Sequence, residues 1–397
     1  MSELSRPTFV HRDLLDAIRP YYANKEAIVI TGMRRTGKTT LLSMMREELA
    51  GENILSFDLE AITDRTLFEQ DSYEAIATQL KNMSPHPEKR LHVFLDEIQA
   101  MPNIPSVAKY LIDHYEVKFF MSGSASYYLR NRFSESMAGR KFIFELFPFS
   151  FEEYLRAGGD EQALRIRAGK PSKYTYGVLA PYFDDYLAWG GFPGVIFAQT
   201  AEEKRKKLDE IFSSYYQLEV EKLSDFRKKD ALRDLIFLLM GGVGSKLDAS
   251  KLSRDIGVSR LTVLDYLAFL EDTYLIHTVP AFSTSLPVEI RAQKKYYFAD
   301  TGLLGRLAQV SEGALFENLC YTLLRTRSKD IRYYQTRGGA EIDFIVDRIH
   351  AYECKLSAHE QDALALSRRV RTIDIKHFSV ISRAYREHPD ITYGFFL

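Results

Sequence analysis

Gly32-Met33-Arg34-Arg35-Thr36-Gly37-Lys38-Thr39 has the composition and spacing of a phosphate-binding loop. The two glycines let the backbone turn tightly, so that successive N–H groups aim at phosphate oxygens. The N-terminus of the helix that should follow adds partial positive charge. Lys38 then reaches the β- and γ-phosphates, and Thr39 offers its hydroxyl to Mg²⁺. Gly32 through Thr39, together with Thr40, form the expected cradle. The ligand this chemistry asks for is ATP or a related nucleoside triphosphate.

Such a loop needs a second carboxylate on a neighbouring strand to hold the hydrated metal. His92-Val93-Phe94-Leu95-Asp96-Glu97 supplies one, because apolar residues lead into paired acids at the end of a strand. Asp96 is assigned to the metal, and Glu97 to the base that takes a proton from, or orients, the attacking water. An adjacent pair of this kind favours hydrolysis over simple binding. Phe119-Phe120-Met121-Ser122-Gly123-Ser124 is a further strand ending in small polar residues, where Ser122 or Ser124 can sense the γ-phosphate. Arg130, Arg132 and Arg140 are candidates for an arginine finger acting in cis or on a neighbouring copy. Arg140, between Gly139 and a strand, is the preferred one. An oligomer is therefore one possibility the sequence leaves open.

A second chemical pattern lies near the C-terminus. Glu341-Ile342-Asp343-Phe344-Ile345-Val346 and Tyr352-Glu353-Cys354-Lys355 are spaced for a hairpin, with Glu353 and Lys355 on one face of their strand. Glu317, on a preceding helix, can lie over them. Asp343 and Glu353 could bind Mg²⁺, which polarises a phosphodiester and activates water, with Lys355 beside the developing charge. The same acids serve equally well as structural hydrogen-bond acceptors. Cys354, on the opposite face, reads as core.

The elements that position these residues follow from the pattern of apolar runs. Strands are expected at Ala27 to Thr31, Ile54 to Asp58, His92 to Asp96, Val117 to Ser122 and Lys141 to Leu146, with a helix from Lys38 to Leu49. Strands alternating with helices imply a parallel α/β sheet. From Phe149 to about Met240 the chain reads as helical, interrupted at Gly190-Gly191-Phe192-Pro193-Gly194 by a turn or loop. Thereafter an α+β mixture is expected. Borders fall near 155 and 285, giving parts 1–155, 156–285 and 286–397.

Leu247 to Asp272 resembles a winged helix-turn-helix, with Ser259 capping the second helix and Val263, Leu264, Leu267 and Leu270 facing a core. Arg260, Thr262 and Asp265 face outward. One arginine among acids is a poor base-reading surface. Phosphate contact could come instead from Arg227, Lys228, Lys229, Lys251 or Arg254, and a basic rim from Arg332, Arg337 and Arg368-Arg369-Val370-Arg371.

The motifs GMRRTGKTT, VFLDEIQ, FFMSGSAS, AGRKFIFELFPFSFEEYL, WGGFPGV, YYFADTGLL and AEIDFIV with YECK resemble those of archaeal and bacterial AAA+-type predicted ATPases. In that family an N-terminal P-loop domain precedes a C-terminal domain of uncharacterised function. The order Glu317, Asp343, Glu353, Lys355 resembles the core of the PD-(D/E)xK nucleases, related to restriction endonucleases, although Ile342 stands where those enzymes have Pro. The resemblance implies an ATPase that couples nucleotide state to a nuclease-like domain acting on DNA or other nucleic acid. Two alternatives remain open, a nucleotide-gated switch for a protein partner with an inert nuclease-like domain, and a sequence-specific DNA-binding regulator.

The bulk properties are compatible with all three. The 397 residues are 46% hydrophobic and 27% charged, which is globular and long enough for two or three domains. A net charge of −1 neither requires nor excludes nucleic acid. Cys320 and Cys354 are too few for a disulfide framework or a zinc cluster, which points to a reducing, cytoplasmic setting. The opening MSELSRPTFVHRDLL carries charges where a signal peptide needs an apolar run. No stretch approaches the roughly 18 apolar residues of a membrane span.

Overall fold

The computed structural model describes residues 9–70, 72–123, 137–223, 228–336 and 338–397, with the side chains of 221–223 excepted. Ser124, Arg130, Arg132, Arg227 and Arg337 lie outside the described residues. The chain folds as two compact units. The first runs to Phe147 and takes in Asp272–Tyr274; the second holds Pro148–Glu271 and Leu275–Leu397. By compactness, the helical middle and the C-terminal sheet therefore fall together.

The first unit is built on strands β1 (Ala27–Thr31), β2 (Asn53–Asp58), β3 (Leu91–Asp96), β4 (Lys118–Ser122) and β5 (Lys141–Glu145). They lie in the order β2-β3-β4-β1-β5. Every neighbouring pair is parallel. Helix α1 (Lys38–Glu48) follows β1, and α2 (Ile104–Tyr115) precedes β4. Strand side chains alternate between two cores, as the pleat requires. Ile28, Ile30, Phe94 and Phe120 pack with Leu41 and Met45 of α1. Ala27, Val29, Val93, Leu95, Phe119 and Met121 pack with Val107, Leu111 and Ile112 of α2. A sheet covered on both faces must be apolar on both, which is why residues 27–30 of β1 and 119–121 of β4 read as apolar runs.

The second unit begins with helices and ends in a mixed sheet. Helix α3 (Ala249–Ile256) stops at Gly257, whose φ of +67° favours glycine. Helix α4 (Arg260–Asp272) follows. Ser259 Oγ accepts the N–H of Thr262 at 3.1 Å. Val263, Leu267 and Leu270 of α4 are buried as expected. Leu264 is not: it is 39% exposed, because Tyr266 and Phe269 complete the buried stripe instead. Strands β6 (Ile276–Val279) and β7 (Lys295–Phe298) form an antiparallel ribbon. Helix α5 (Glu312–Arg327) leads to β8 (Ile331–Gln335), β9 (Glu341–Val346) and β10 (His350–Lys355). Helix α6 (Glu360–Thr372), β11 (His377–Ser382) and β12 (Ile391–Tyr393) complete the unit. The sheet order is β12-β11-β10-β9-β8. Its pairs β8–β9 and β9–β10 are antiparallel, while β10–β11 and β11–β12 are parallel.

The glycine-rich stretch after Trp189 has a packing reason. Pro193 does not stay in a loop but starts the short helix Pro193–Ile196, where its fixed φ suits the first turn. Ahead of it, a Cβ on Gly190 would stand 2.2 Å from the Asp300 carboxylate, and one on Gly302 would stand 2.0 Å from the Trp189 carbonyl oxygen. Asp300 is buried and accepts N–H groups from Gly191 at 2.7 Å and Leu303 at 2.9 Å. The WGGFPG and ADTG motifs are therefore two halves of one junction. Burial pushes the Asp300 carboxyl up to about 6, against the backbone hydrogen bonds that favour its anion.

Candidate functional site

The loop after β1 turns over the C-terminal end of the parallel sheet. Gly32 has φ +147°, and a Cβ there would meet the Leu146 carbonyl oxygen at 2.2 Å. Gly37 has φ +97° and begins α1. Arg35, at φ +68°, is exposed, as are Thr39 and Thr40, whereas Met33 and Thr36 are buried. Thr36 Oγ1 donates to the Met33 carbonyl at 2.9 Å and holds the turn from inside. Lys38 is 6% exposed, and its Nζ donates to the carbonyls of Gly32 at 3.0 Å and Met33 at 2.9 Å. Its ammonium is thus kept inside the loop.

The two acids meet this loop from β3. Asp96 Oδ1 accepts the backbone N–H of Glu97 at 3.0 Å and the hydroxyl of Ser122. Ser122 is fully buried on β4, paired in register with Ile30 of β1. The strand order therefore puts it between the loop-bearing strand and the acid-bearing one. Glu97 sits in the left-handed region, with φ +53°, where the chain turns sharply after the strand. Gln99 Nε2 donates to its carboxylate. Burial raises the Glu97 carboxyl above its ordinary value, against the pull of Gln99, Lys38 and Arg34.

Thr39 and Asp96 line one cleft of about 330 Å³, together with Ser43, Arg46, Asp58 and Asp64. A divalent ion would be held between Thr39 and Asp96, with nucleotide oxygens and water completing its shell. The donor set fits, since both residues offer oxygen and face the same space.

Arg12 is a participant with no motif to announce it. It is 4% exposed, and its guanidinium donates to the carbonyls of Thr36 at 2.9 Å and Phe147 at 2.7 Å. It ties the phosphate loop to the chain that leaves β5. The only signal in the sequence is a lone arginine before an acidic helix start, which nothing distinguishes from a surface residue.

Arg140 is placed otherwise than a finger in cis requires. It precedes β5, whose first residue pairs with the first residue of β1, and so lies at the end of the sheet opposite the loop. Five residues of strand separate the two ends, roughly 16 Å at ~3.3 Å per residue. Its Nε donates to Asp113 at 2.8 Å. The in-cis role is corrected accordingly.

The C-terminal acids come together and are met by cations. Lys355 Nζ stands 2.9 Å from Glu353 Oε1, and Arg369 Nη2 of α6 stands 2.6 Å from Glu353 Oε2. Glu353 is 6% exposed. Lys295 of β7 pairs with Glu317 Oε1 at 3.3 Å and with Glu341. Tyr297 OH donates to Glu317 at 2.6 Å. Asp343 accepts the Cys354 N–H at 2.7 Å. Burial, then Glu317, push the Asp343 carboxyl up to about 7, against Lys295. Burial and the neighbouring Cys320 raise the Cys354 thiol well above its ordinary value, so it is no thiolate. Among the described residues, no three His, Cys, Asp or Glu side chains are grouped to hold a metal by themselves. Sequence reasoning missed Lys295, Tyr297 and the pairing of Arg369. Lys295 follows another lysine, and nothing in the string marks which of the two turns inward.

Comparisons with known proteins agree with the first unit and leave the second open. Residues 24–155 match the family model of the AAA domain. Residues 180–314 and 312–387 match two domains of unknown function (DUF8612 and DUF4143). An uncharacterized protein of Haemophilus influenzae is 24% identical over 359 residues, 85% of each chain. One from Methanocaldococcus jannaschii is 24% identical over 328 residues, 80% of this chain and 71% of that one. A Walker-type ATPase of Pyrococcus abyssi aligns over 75% of this chain and 96% of its own, with 12% identity and a TM-score of 0.47. The AAA-domain match and the five-stranded parallel sheet together support a P-loop ATPase domain of the AAA+ type. Among the described residues no helix is long and apolar enough to cross a membrane.

Proposed function

We propose that the first unit binds MgATP and hydrolyses it, and that the second unit responds to the nucleotide by holding a protein partner. The observation that carries the first half is the meeting of Asp96, Glu97 and Ser122 at the phosphate loop. In this reading Lys38 gives its ammonium to the β- and γ-phosphates and gives up its bonds to the Gly32 and Met33 carbonyls. Thr39 and Asp96 hold hydrated Mg²⁺, and Ser122 fixes the Asp96 rotamer. Glu97, made more basic by burial, takes one proton as water attacks the γ-phosphorus and ADP departs. Glu97→Gln keeps the shape and removes the base. It should bind a fluorescent ATP analogue as the parent does while hydrolysis falls about 100-fold or more. Unchanged turnover would move the base elsewhere.

The second half rests on the ion pairs around Glu317, Glu341 and Glu353 and on the surface of α4. Residues 1–155 then act as the ATPase, 156–285 carry the winged-helix segment and 286–397 a nuclease-like fold without chemistry. Leu261 is 69% exposed on α4 beside Leu264, an apolar surface better suited to a protein than to phosphates. Two members of the expected basic rim are committed internally: Arg369 to Glu353, and Arg332 to Glu289 and Asp330. The nuclease reading is tested directly by incubating the full chain with single- and double-stranded DNA and RNA in Mg²⁺ or Mn²⁺. Cleavage that Asp343→Ala abolishes would restore it and remove the switch.

A further inference from the structure

The acids of the second unit are arranged around a cation that the chain itself provides. Lys295 sits on β7, outside the hairpin that carries Asp343 and Glu353, and is 5% exposed. Its ammonium contacts Glu317, from α5, and Glu341, from β9. Tyr297, two residues along the same strand, donates to the Glu317 oxygen that Lys295 contacts. Gln335 Nε2 donates to the other oxygen of Glu341 at 3.2 Å. The remaining acid, Glu353, is held separately by Lys355 and Arg369.

A buried ammonium keeps its charge only when carboxylates outweigh its loss of water. Here they do: burial lowers the Lys295 ammonium, but Glu317, Asp343 and Glu341 together carry it above its ordinary value. Of these, Glu317 and Asp343 belong to the acid set that a divalent ion would need in a nuclease-like site, and the other member, Glu353, is taken by Lys355 and Arg369. A metal added beside a fixed ammonium would meet like-charge repulsion in a poorly solvated place and would find two of its donors engaged.

We propose that the Lys295 ammonium is the resident cation of the C-terminal acid set and stands in for the divalent ion that the nuclease resemblance implies. The residues present do not fit Mg²⁺ while Lys295 is in place. This deepens the inert reading of the second unit given above, but it is a statement about binding and can fail separately.

The test is Mn²⁺ titration of the full, nucleotide-free chain, followed by electron paramagnetic resonance. Wild type should hold no Mn²⁺ that Asp343→Asn removes. Lys295→Met, which loses the charge, should gain one site per chain that the wild type lacks. Adding Asp343→Asn or Glu317→Gln to Lys295→Met should abolish that site, which separates it from any ion at Asp96. A folded Lys295→Met, checked by circular dichroism, that gains no site overturns the proposal. So does wild-type protein that binds one Mn²⁺ sensitive to Asp343→Asn. Should Lys295→Met not fold, Lys295→Gln takes its place, and the wild-type titration stands by itself. Wild-type Mn²⁺ binding that Asp343→Asn removes, without nucleic-acid cleavage, would end this inference and spare the inert reading; cleavage by a wild type with no such Mn²⁺ site would do the reverse.

Discussion

Single side chains decide how the phosphate loop is held before nucleotide arrives. Lys38 and Thr36 brace it from within, while Arg12 braces it from beneath. Hydrogen bonds from a charged donor are worth about 1.5–3 kcal/mol each, and more is lost when a buried acceptor is left bare. Arg12→Ala removes donors from two carbonyls. The expected outcome is a loss of about 3 kcal/mol in urea unfolding of the first unit and weaker ATP binding. Arg12→Lys, which reaches one carbonyl, should recover part of the affinity. A variant with parental ATP affinity would reduce Arg12 to a purely structural bond. That the loop joins β1 to α1 and that Asp96 ends β3 was legible in the residue string, since glycines, lysine and hydroxyl at that spacing after an apolar run leave little choice of element. Arg12 and Lys295 were not, because their roles depend on which distant carbonyl or carboxylate the fold brings near.

At the scale of elements, apolar runs revealed the sheet because parallel strands under two helix layers cannot alternate with polar residues. Alternation in β10 likewise put Glu353 and Lys355 on one face, where they now form an ion pair. The junction of WGGFPG with ADTG was invisible, since sequence gives no contact between segments a hundred residues apart. That junction makes a pH prediction. The carboxyl of Asp300 is raised to about 6 in the fold, against ~3.9 in an unfolded chain. The folded state therefore holds its proton more firmly, and Asp300 loses stabilising influence as pH rises through that window. Asp300→Asn has no such loss, although it sacrifices one acceptor for the Gly191 and Leu303 N–H groups. The stability gap between parent and Asp300→Asn should be widest near pH 4 and narrow by up to about 3 kcal/mol above pH 6. Denaturant melts at those pH values read it, and a gap independent of pH would mean that the carboxyl titrates normally.

For the whole molecule, the decisive question is which unit does chemistry. Asp343 lies in the second unit, so Asp343→Asn should leave steady-state ATP hydrolysis within about twofold of the parent, as expected for sites without shared partners. Lys38→Ala should abolish hydrolysis altogether. A phosphate-release assay on both proteins makes the comparison. Loss of turnover in Asp343→Asn would mean that the second unit governs the first. Opposite phenotypes in cells, with Lys38→Ala inactive and Asp343→Asn active, are what a nucleotide-gated switch requires.

The strand order carries a consequence for how the protein is made. β1 finds no sheet partner among the strands nearest to it in sequence; it pairs with β4 and β5. Gly32 is shaped against Leu146, just beyond β5. On the ribosome the glycine-lysine loop is thus made before β4, β5 and Leu146, the parts it needs to take form. At ~5–20 residues per second, the gap between translating Gly32 and translating Leu146 is on the order of 10 s. Until β4 is made, β1 is an apolar strand without either of its sheet partners, and the loop that follows it cannot take its final form before Leu146 is in place.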